Sequence, residues 1–225
     1  MKEYAIIVAG GGGSRMRSNI PKQFLLLAEK PILMHTIEAF REYATDLSII
    51  LVLPKNSITS WHQLCEKFLF SYPLCIVEGG KSRFQSVKNG LASIDVEESL
   101  VAIHDGVRPL VNPTIINNSF RFAETHGCAV ASMPLKESLV SLDQDQVRSI
   151  ERSKYRSIQT PQTFKTHLIK SAYHHIKEDP KLTDDASVAE RYGTAIMLFD
   201  GSYENIKVTT PEDLIIAEAL LNSKK

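Results

Sequence analysis

Short continuous apolar runs alternate with longer segments of helical period along most of the chain. Residues 4–9, 47–53, 74–77, 100–103, 128–133 and 195–199 are apolar apart from Ser48 and Ser132, the pattern of strands covered on both faces. After Pro31, a favourable first helical residue, Ile32, Leu33, Thr36, Ile37 and Phe40 recur with helical spacing. Residues 56–70, 82–94, 113–126, 165–177, 185–192 and 211–221 read as helices in the same way, and 205–208 as a short strand. Buried strands alternating with helices predict an α/β fold, a Rossmann-like, mainly parallel but mixed sheet flanked by helices. Ligands bind such sheets at the carboxyl ends of the strands.

Between residues 134 and 155 this rhythm stops. Ser138-Leu139-Val140-Ser141-Leu142 and Gln146-Val147-Arg148-Ser149-Ile150 alternate with period two around Asp143-Gln144-Asp145. They predict a protruding β-arm hairpin where a crossover helix is expected. A two-stranded ribbon is marginal alone, so the arm is expected to pack against something, such as a second subunit. With no linker, repeat or low-complexity tract in view, residues 1–225 are read as one domain that includes the arm.

Composition narrows the chemistry. The 26 Lys and Arg balance 26 Asp and Glu, so no basic excess points to nucleic acid, and a polyanion must be met by a local cluster. The three cysteines, Cys65, Cys75 and Cys128, form no C-x-x-C pair and read as buried thiols in a reducing compartment. The histidines show no zinc spacing. Neither a signal-peptide pattern nor an 18-residue apolar stretch occurs, and the expectation is a cytoplasmic protein with no membrane partner.

The most informative stretch follows the first predicted strand. Ala9-Gly10-Gly11-Gly12-Gly13-Ser14-Arg15-Met16-Arg17 leads through Pro21-Lys22-Gln23-Phe24 to the next apolar segment. Glycines let backbone N–H groups approach phosphate oxygens closely, and Arg15 and Lys22 supply cations for the remaining charge. The dinucleotide fingerprint fails, because Arg15 and Met16 stand where its last glycine is needed. The NTPase loop fails as well, since no Gly-Lys pair exists here. A glycine-rich turn with solvated basic residues is the bland alternative.

Further candidates lie at the same predicted edge. Asp105, after a buried strand and before Gly106, is placed to reach Mg²⁺ or a ribose hydroxyl, or to cap a local turn. Its neighbour His104 reads as a packed orienting residue, and Arg108 as one that orders the loop. Gly79-Gly80 with Lys81, Arg83 and Ser86 forms a second polar loop, or a plain helix start. Thr183-Asp184-Asp185 is either a substrate loop or a helix cap. Lys207 is either a solvated strand-end lysine or completes, with Arg15 and Lys22, a set of cations suited to stabilising charge during attack on an α-phosphate.

These segments, with Gln159-Thr160-Pro161-Gln162-Thr163-Phe164 and Asn205-Ile206-Lys207-Val208-Thr209-Thr210-Pro211, resemble in order the nucleotidyltransferases that act on polyol phosphates. Within them the chain is most similar to the cytidylyltransferase family for 2-C-methyl-D-erythritol 4-phosphate. The resemblance implies CTP and a polyol phosphate as substrates, Mg²⁺ as cofactor, and a homodimer with an exchanged β-arm. It also implies Ala9 and Gly10 to Gly13 around the nucleotide, Gly80 and Ser86 at the cytosine, and Asp105 near the metal. Arg15 and Lys22 are expected at the phosphates, Lys207 at the α-phosphate, and Ser138, Arg152, Thr160 and Thr183 at the polyol phosphate. Two positions depart from the family pattern. Gly106-Val107 replaces Ala-Ala, and Ser138 replaces a threonine. A ribitol 5-phosphate cytidylyltransferase and a nucleotide-binding module without turnover are the competing readings.

Overall fold

Alternate side chains along each central strand enter different hydrophobic layers, and this decides the architecture. In the computed structural model, which describes residues 1–11, 16, 20–143 and 146–223, the chain opens with strand β1 (Lys2–Val8). Two short strands, β2 (Leu26–Leu27) and β3 (Lys30–Pro31), lead into α1 (Ile32–Tyr43), followed by β4 (Ser48–Leu53) and α2 (Lys55–Lys67). Next come β5 (Cys75–Glu78), α3 (Arg83–Ala92), β6 (Ser99–Asp105), α4 (Pro113–His126) and β7 (Cys128–Pro134). The arm is β8 (Val140–Asp143) and β9 (Gln146–Ser149), after which β10 (Arg156–Lys165) returns to the sheet. Helices α5 (Thr166–His175) and α6 (Asp185–Arg191), strand β11 (Leu198–Asp200) and helix α7 (Pro211–Asn222) complete the order.

Among the described residues, seven strands form the central sheet in the order β11-β7-β10-β6-β1-β4-β5. Ala5 and Ile7 of β1, with Leu51 of β4, pack on one face against Leu33, Ile37 and Phe40 of α1, Trp61 of α2 and Phe120 of α4. Tyr4 and Ile6, with Val52, pack on the other against Phe84 and Val87 of α3, Tyr173 of α5 and Val188 of α6. A strand buried on both faces cannot afford polar alternates, which is why these strands read as unbroken apolar runs. Strand β6 is buried along its whole length, from Ser99 to Asp105.

Strand β10 is absent from the sequence reading. It lies antiparallel between β6 and β7, with Gln162 opposite Ile103 and Val130. Its segment Gln159-Thr160-Pro161-Gln162-Thr163 is polar and contains proline, so it carries no strand signal, yet these side chains are buried. Their polarity is met by hydrogen bonds, such as Thr163 Oγ1 donating to Ser119 Oγ at 2.8 Å. Because β10 runs against its neighbours, its pairing with β6 from Gln162 to Lys165 leaves Thr160, midway along the strand, at the carboxyl end of β6. This makes the sheet mixed, as the fold reading allowed.

Other expectations are adjusted. The predicted strand at 205–208 is not formed; Asn205 is instead a buried linker, and the last strand is only Leu198–Asp200. Of the three cysteines read as buried, Cys128 is buried, Cys65 half-buried and Cys75 exposed at the start of edge strand β5. All three are free thiols.

Gly106 directly follows β6 and donates to Val8 O at 2.9 Å. A Cβ there would meet Leu33 Cδ1 at 2.9 Å and Ala9 Cβ at 3.0 Å, so glycine is what the packing of α1 against this edge admits. Gly106→Ala is expected to destabilise the protein by about 1–3 kcal/mol through overpacking, although the family pattern carries alanine there. Urea denaturation of the variant beside the parent checks this, and an unchanged midpoint would show that Leu33 relaxes at no cost.

Candidate active site

Strand β1 ends at the glycine stretch, and the chain returns to it through Gln23. This side chain is 1% exposed and donates through Nε2 to Ala9 O at 2.8 Å, tying the Pro21-Lys22-Gln23-Phe24 turn to the end of the strand. Lys22 crosses Gly11 so closely that a Cβ at Gly11 would lie 3.2 Å from Lys22 Cε. Gly12, Gly13 and Arg15 lie outside the described residues. At the next strand end, a Cβ on Gly80 would come within 2.2 Å of Gln85 Cβ, so only glycine allows this turn onto α3. Gly80 N–H donates to Ser86 Oγ at 3.1 Å, and that hydroxyl donates to Ser82 O at 2.8 Å. Ser86 thereby shapes the Gly80 loop from within.

These loops border a cavity of about 250 Å³, lined among others by Ala9, Gly10, Gly11, Lys22, Gly80 and Ser86. A second cavity of about 200 Å³ lies alongside, lined by Arg108, Gln159, Thr160, Gln162, Thr183 and Asp184. Arg83, Asp105 and Lys207 line both. The two compartments therefore meet at one carboxylate and two cations.

Asp105 is the centre of this junction. Lys207 Nζ lies 3.0 Å and Arg108 Nε 3.3 Å from its Oδ2, and Arg83 Nε lies 3.8 Å from its Oδ1. Burial alone would raise this carboxyl, but Arg83, Lys207 and Arg108 outweigh it and hold it well below the usual carboxylate range. Arg108 also donates to Asn205 O at 2.8 Å, joining the loop after β6 to the segment that carries Lys207. The Asp105 N–H donates to Thr160 Oγ1 at 3.1 Å, and Thr160 lies 3.0 Å from His104 Nδ1. His104 Nε2 is 3.4 Å from Arg108 O, a carbonyl that only accepts, so Nε2 carries the proton and Nδ1 accepts from Thr160. Burial lowers the His104 pKa to about 3, against a partial opposing pull from Asp105. A neutral, fully committed imidazole orients and does not act as a base.

Thr183 and Asp184 stand at the start of α6, and of the two alternatives read there the helix cap is formed. Asp184 caps the helix by accepting from Ser187 N at 2.9 Å, and both residues line the second cavity. Gln162 anchors this start to β10, donating to Asp184 Oδ2 at 3.0 Å and accepting from Ala186 N at 2.8 Å. Ser138 and Arg152 line neither cavity of this chain. Arg152 is exposed and donates to Lys136 O at 2.6 Å. The sequence reading missed Arg83 as a junction residue and Asp185 as its holder. Arg83 donates through both terminal nitrogens to Asp185, at 2.9 and 2.6 Å. The only signal was a second aspartate after the cap, which spacing alone cannot tell from a solvated one.

A mixed α/β sheet whose first loop is glycine-rich, and whose strand ends bring a buried aspartate and several cations between two adjoining cavities, defines the nucleotidyltransferase class. Comparison with known proteins makes this particular. The sequence profile of the family "IspD: 2-C-methyl-D-erythritol 4-phosphate cytidylyltransferase" matches residues 4–223, and the chain belongs to that family. It is 47% identical to the 2-C-methyl-D-erythritol 4-phosphate cytidylyltransferase of Bacteroides thetaiotaomicron, over 98% of this chain and 100% of that protein. The enzyme of the same name from Azobacteroides pseudotrichonymphae is 48% identical over 98% of this chain and 99% of its own length. Among solved structures, the 4-diphosphocytidyl-2C-methyl-D-erythritol synthase of Anaerococcus prevotii superposes with a TM-score of 0.83 at 28% identity. That match covers 98% of this chain and 96% of that one.

The buried His104 makes stability depend on pH. Its folded pKa of about 3 lies below the 6.5 of an unperturbed histidine, so the unfolded chain takes up the proton first. Its contribution is complete above about pH 6.5 and is lost as pH falls toward 3, at about 1.4 kcal/mol per unit. Urea unfolding from pH 7 to 4.5 is expected to show this slope in the parent and not in His104→Gln. Equal slopes in the two would mean that His104 is charged in the folded protein.

Proposed function

We propose that the protein transfers CMP from CTP to 2-C-methyl-D-erythritol 4-phosphate, releasing pyrophosphate and forming 4-diphosphocytidyl-2-C-methyl-D-erythritol. The observation that carries this reading is the pair of adjoining cavities sharing Asp105, Arg83 and Lys207, in a chain matched to the family nearly end to end. One compartment suits the nucleotide and the other the polyol phosphate. The reaction joins an oxygen of the monoester to the α-phosphorus and breaks the α–β anhydride bond, with the electron pair leaving on pyrophosphate. A phosphate monoester is largely ionised at neutral pH, so the site needs no strong base, and the neutral His104 is in keeping with that. What it needs is cations fixed in advance where negative charge collects. Lys22 and Arg15 suit the β- and γ-phosphates, and Lys207, held beside Asp105, suits the α-phosphate.

Mg²⁺ is the cofactor the family implies. No group of three or more metal-ligating side chains occurs among the described residues, and Asp105, the carboxylate that lines both cavities, would hold the ion. That donor set fits Mg²⁺, which binds through one or two carboxylates and substrate phosphates while keeping several waters. When bound, it supplies neutralisation of triphosphate charge. Gly80 and Ser86 border the compartment where the cytosine is expected, and a base read there by hydrogen bonds favours CTP over UTP.

A homodimer belongs to the same proposal. Both arm strands are exposed along their whole length, with Leu142 78% and Val147 67% exposed, which favours a second copy covering them. Arg152 and Ser138, remote from this chain's own cavities, then suit the partner's polyol compartment. No helix among the described residues is long and apolar enough to cross a membrane.

Pyrophosphate release on mixing the protein with CTP, Mg²⁺ and each of methylerythritol 4-phosphate and ribitol 5-phosphate is the direct test. Turnover is expected with the former only, to stop when the metal is chelated, and to fall by about 10²-fold in Lys207→Ala. Preference for ribitol 5-phosphate would replace the assigned product. For the dimer, mixing inactive Arg152→Ala subunits with inactive Lys22→Ala subunits is expected to recover activity, because one site of each mixed dimer then carries neither change. Verified mixed dimers that stay inactive would rule out a shared site.

A further inference from the structure

The junction between the two cavities is held by a carboxylate that lines neither. Asp185, the first residue of α6, is 0% exposed. Its Oδ1 takes Arg83 NH1 at 2.9 Å and the Tyr173 hydroxyl at 2.6 Å, and its Oδ2 takes Arg83 NH2 at 2.6 Å. Each terminal nitrogen of the guanidinium therefore spends one of its two N–H groups on this carboxylate, and the planar group has little freedom left. Its Nε edge lies 3.8 Å from Asp105 Oδ1, too far for a hydrogen bond, and the side chain keeps 28% of its surface open. Arg83 thus presents one N–H edge to the junction, in a direction set by Asp185.

For stability alone, a buried ion pair of this kind is close to neutral, since desolvating both groups offsets their attraction. What it secures is position. Asp185 directly follows Thr183 and Asp184, which border the second cavity, whereas Arg83 begins α3, which carries the loop around the first. Tyr173 rises from α5 and closes the remaining side of the carboxylate, with its ring against Phe84 at 4.6 Å between centroids. Three helices therefore meet at one buried acid, which holds a residue lining both compartments.

We infer that Arg83 contacts the negatively charged groups of both substrates at the junction, and that Asp185 and Tyr173 are positioning residues that act through it. This rests on the proposed transfer reaction. It makes the start of α6 a mechanical link between the two substrates.

Steady-state kinetics on a double-mutant cycle test it. Arg83→Ala is expected to lower kcat/KM for both substrates by about 10²-fold, and Asp185→Asn by about 10-fold or more. The double variant is expected to be no worse than Arg83→Ala alone, because the second change removes nothing further. Tyr173→Phe is expected to cost about 3–10-fold in the parent and nothing in the Arg83→Ala background, which keeps the test open should Asp185→Asn fail to fold. Multiplying effects in either cycle, or a lowered melting temperature with parental kinetics, would overturn the positioning role. Absence of turnover in the unmodified protein would instead remove the reaction on which the inference stands.

Discussion

A carboxylate taken almost out of water has to be answered by charge, and most of this site follows from how Asp105 is answered. It ends a strand buried from Ser99 onward, where an isolated anion would cost several kcal/mol. Arg83 comes from the start of α3, Arg108 from the loop after β6, and Lys207 from the segment before α7. Each is drawn to the same two oxygens, so one buried charge gathers the loop beside it and two distant parts of the chain. Cations gathered in this way are already in place before a substrate arrives, which is the condition for stabilising a charged transition state without reorganisation.

The backbone of Asp105 is held as firmly as its side chain. Its N–H is met by Thr160, which is oriented in turn by His104, and His104 is oriented by the carbonyl of Arg108. Thr160 can take part because β10 runs antiparallel to β6 and its pairing with β6 begins at the edge where β6 ends. The arm is inserted between β7 and β10, so the chain that leaves the sheet to form it re-enters directly at the second cavity. A change in the arm is thereby only a few residues from Gln159 and Thr160.

Two cavities with one shared wall suit a reaction between two anions. Much of the barrier lies in bringing them together in line, and much of the rest in the charge that accumulates when they meet. Gly10, Gly11 and Lys22 border the space proposed for one anion; Arg108 and the start of α6 border the space proposed for the other. Arg83, Asp105 and Lys207 stand between them. The scarcity of general bases here is in keeping with a nucleophile that arrives already ionised.

The layered α/β architecture was legible in the amino-acid order because burial on both faces writes itself as unbroken apolar runs, and the helices as 3.6-residue repeats. Motif residues that follow such runs, Gly10, Gly80 and Asp105, were legible for the same reason, since a strand's carboxyl end is known once the strand is. Strand β10 was not, because its buried positions are polar and satisfied by partners such as Ser119 and Asn205 that are distant in sequence. Nor was the difference between Asp184, which caps a helix, and Asp185, which clamps Arg83 from 102 residues away. Local pattern records whether a side chain avoids water. Which polar groups meet inside is decided only by tertiary packing, because a hydrogen bond between distant residues leaves no periodic trace in either segment.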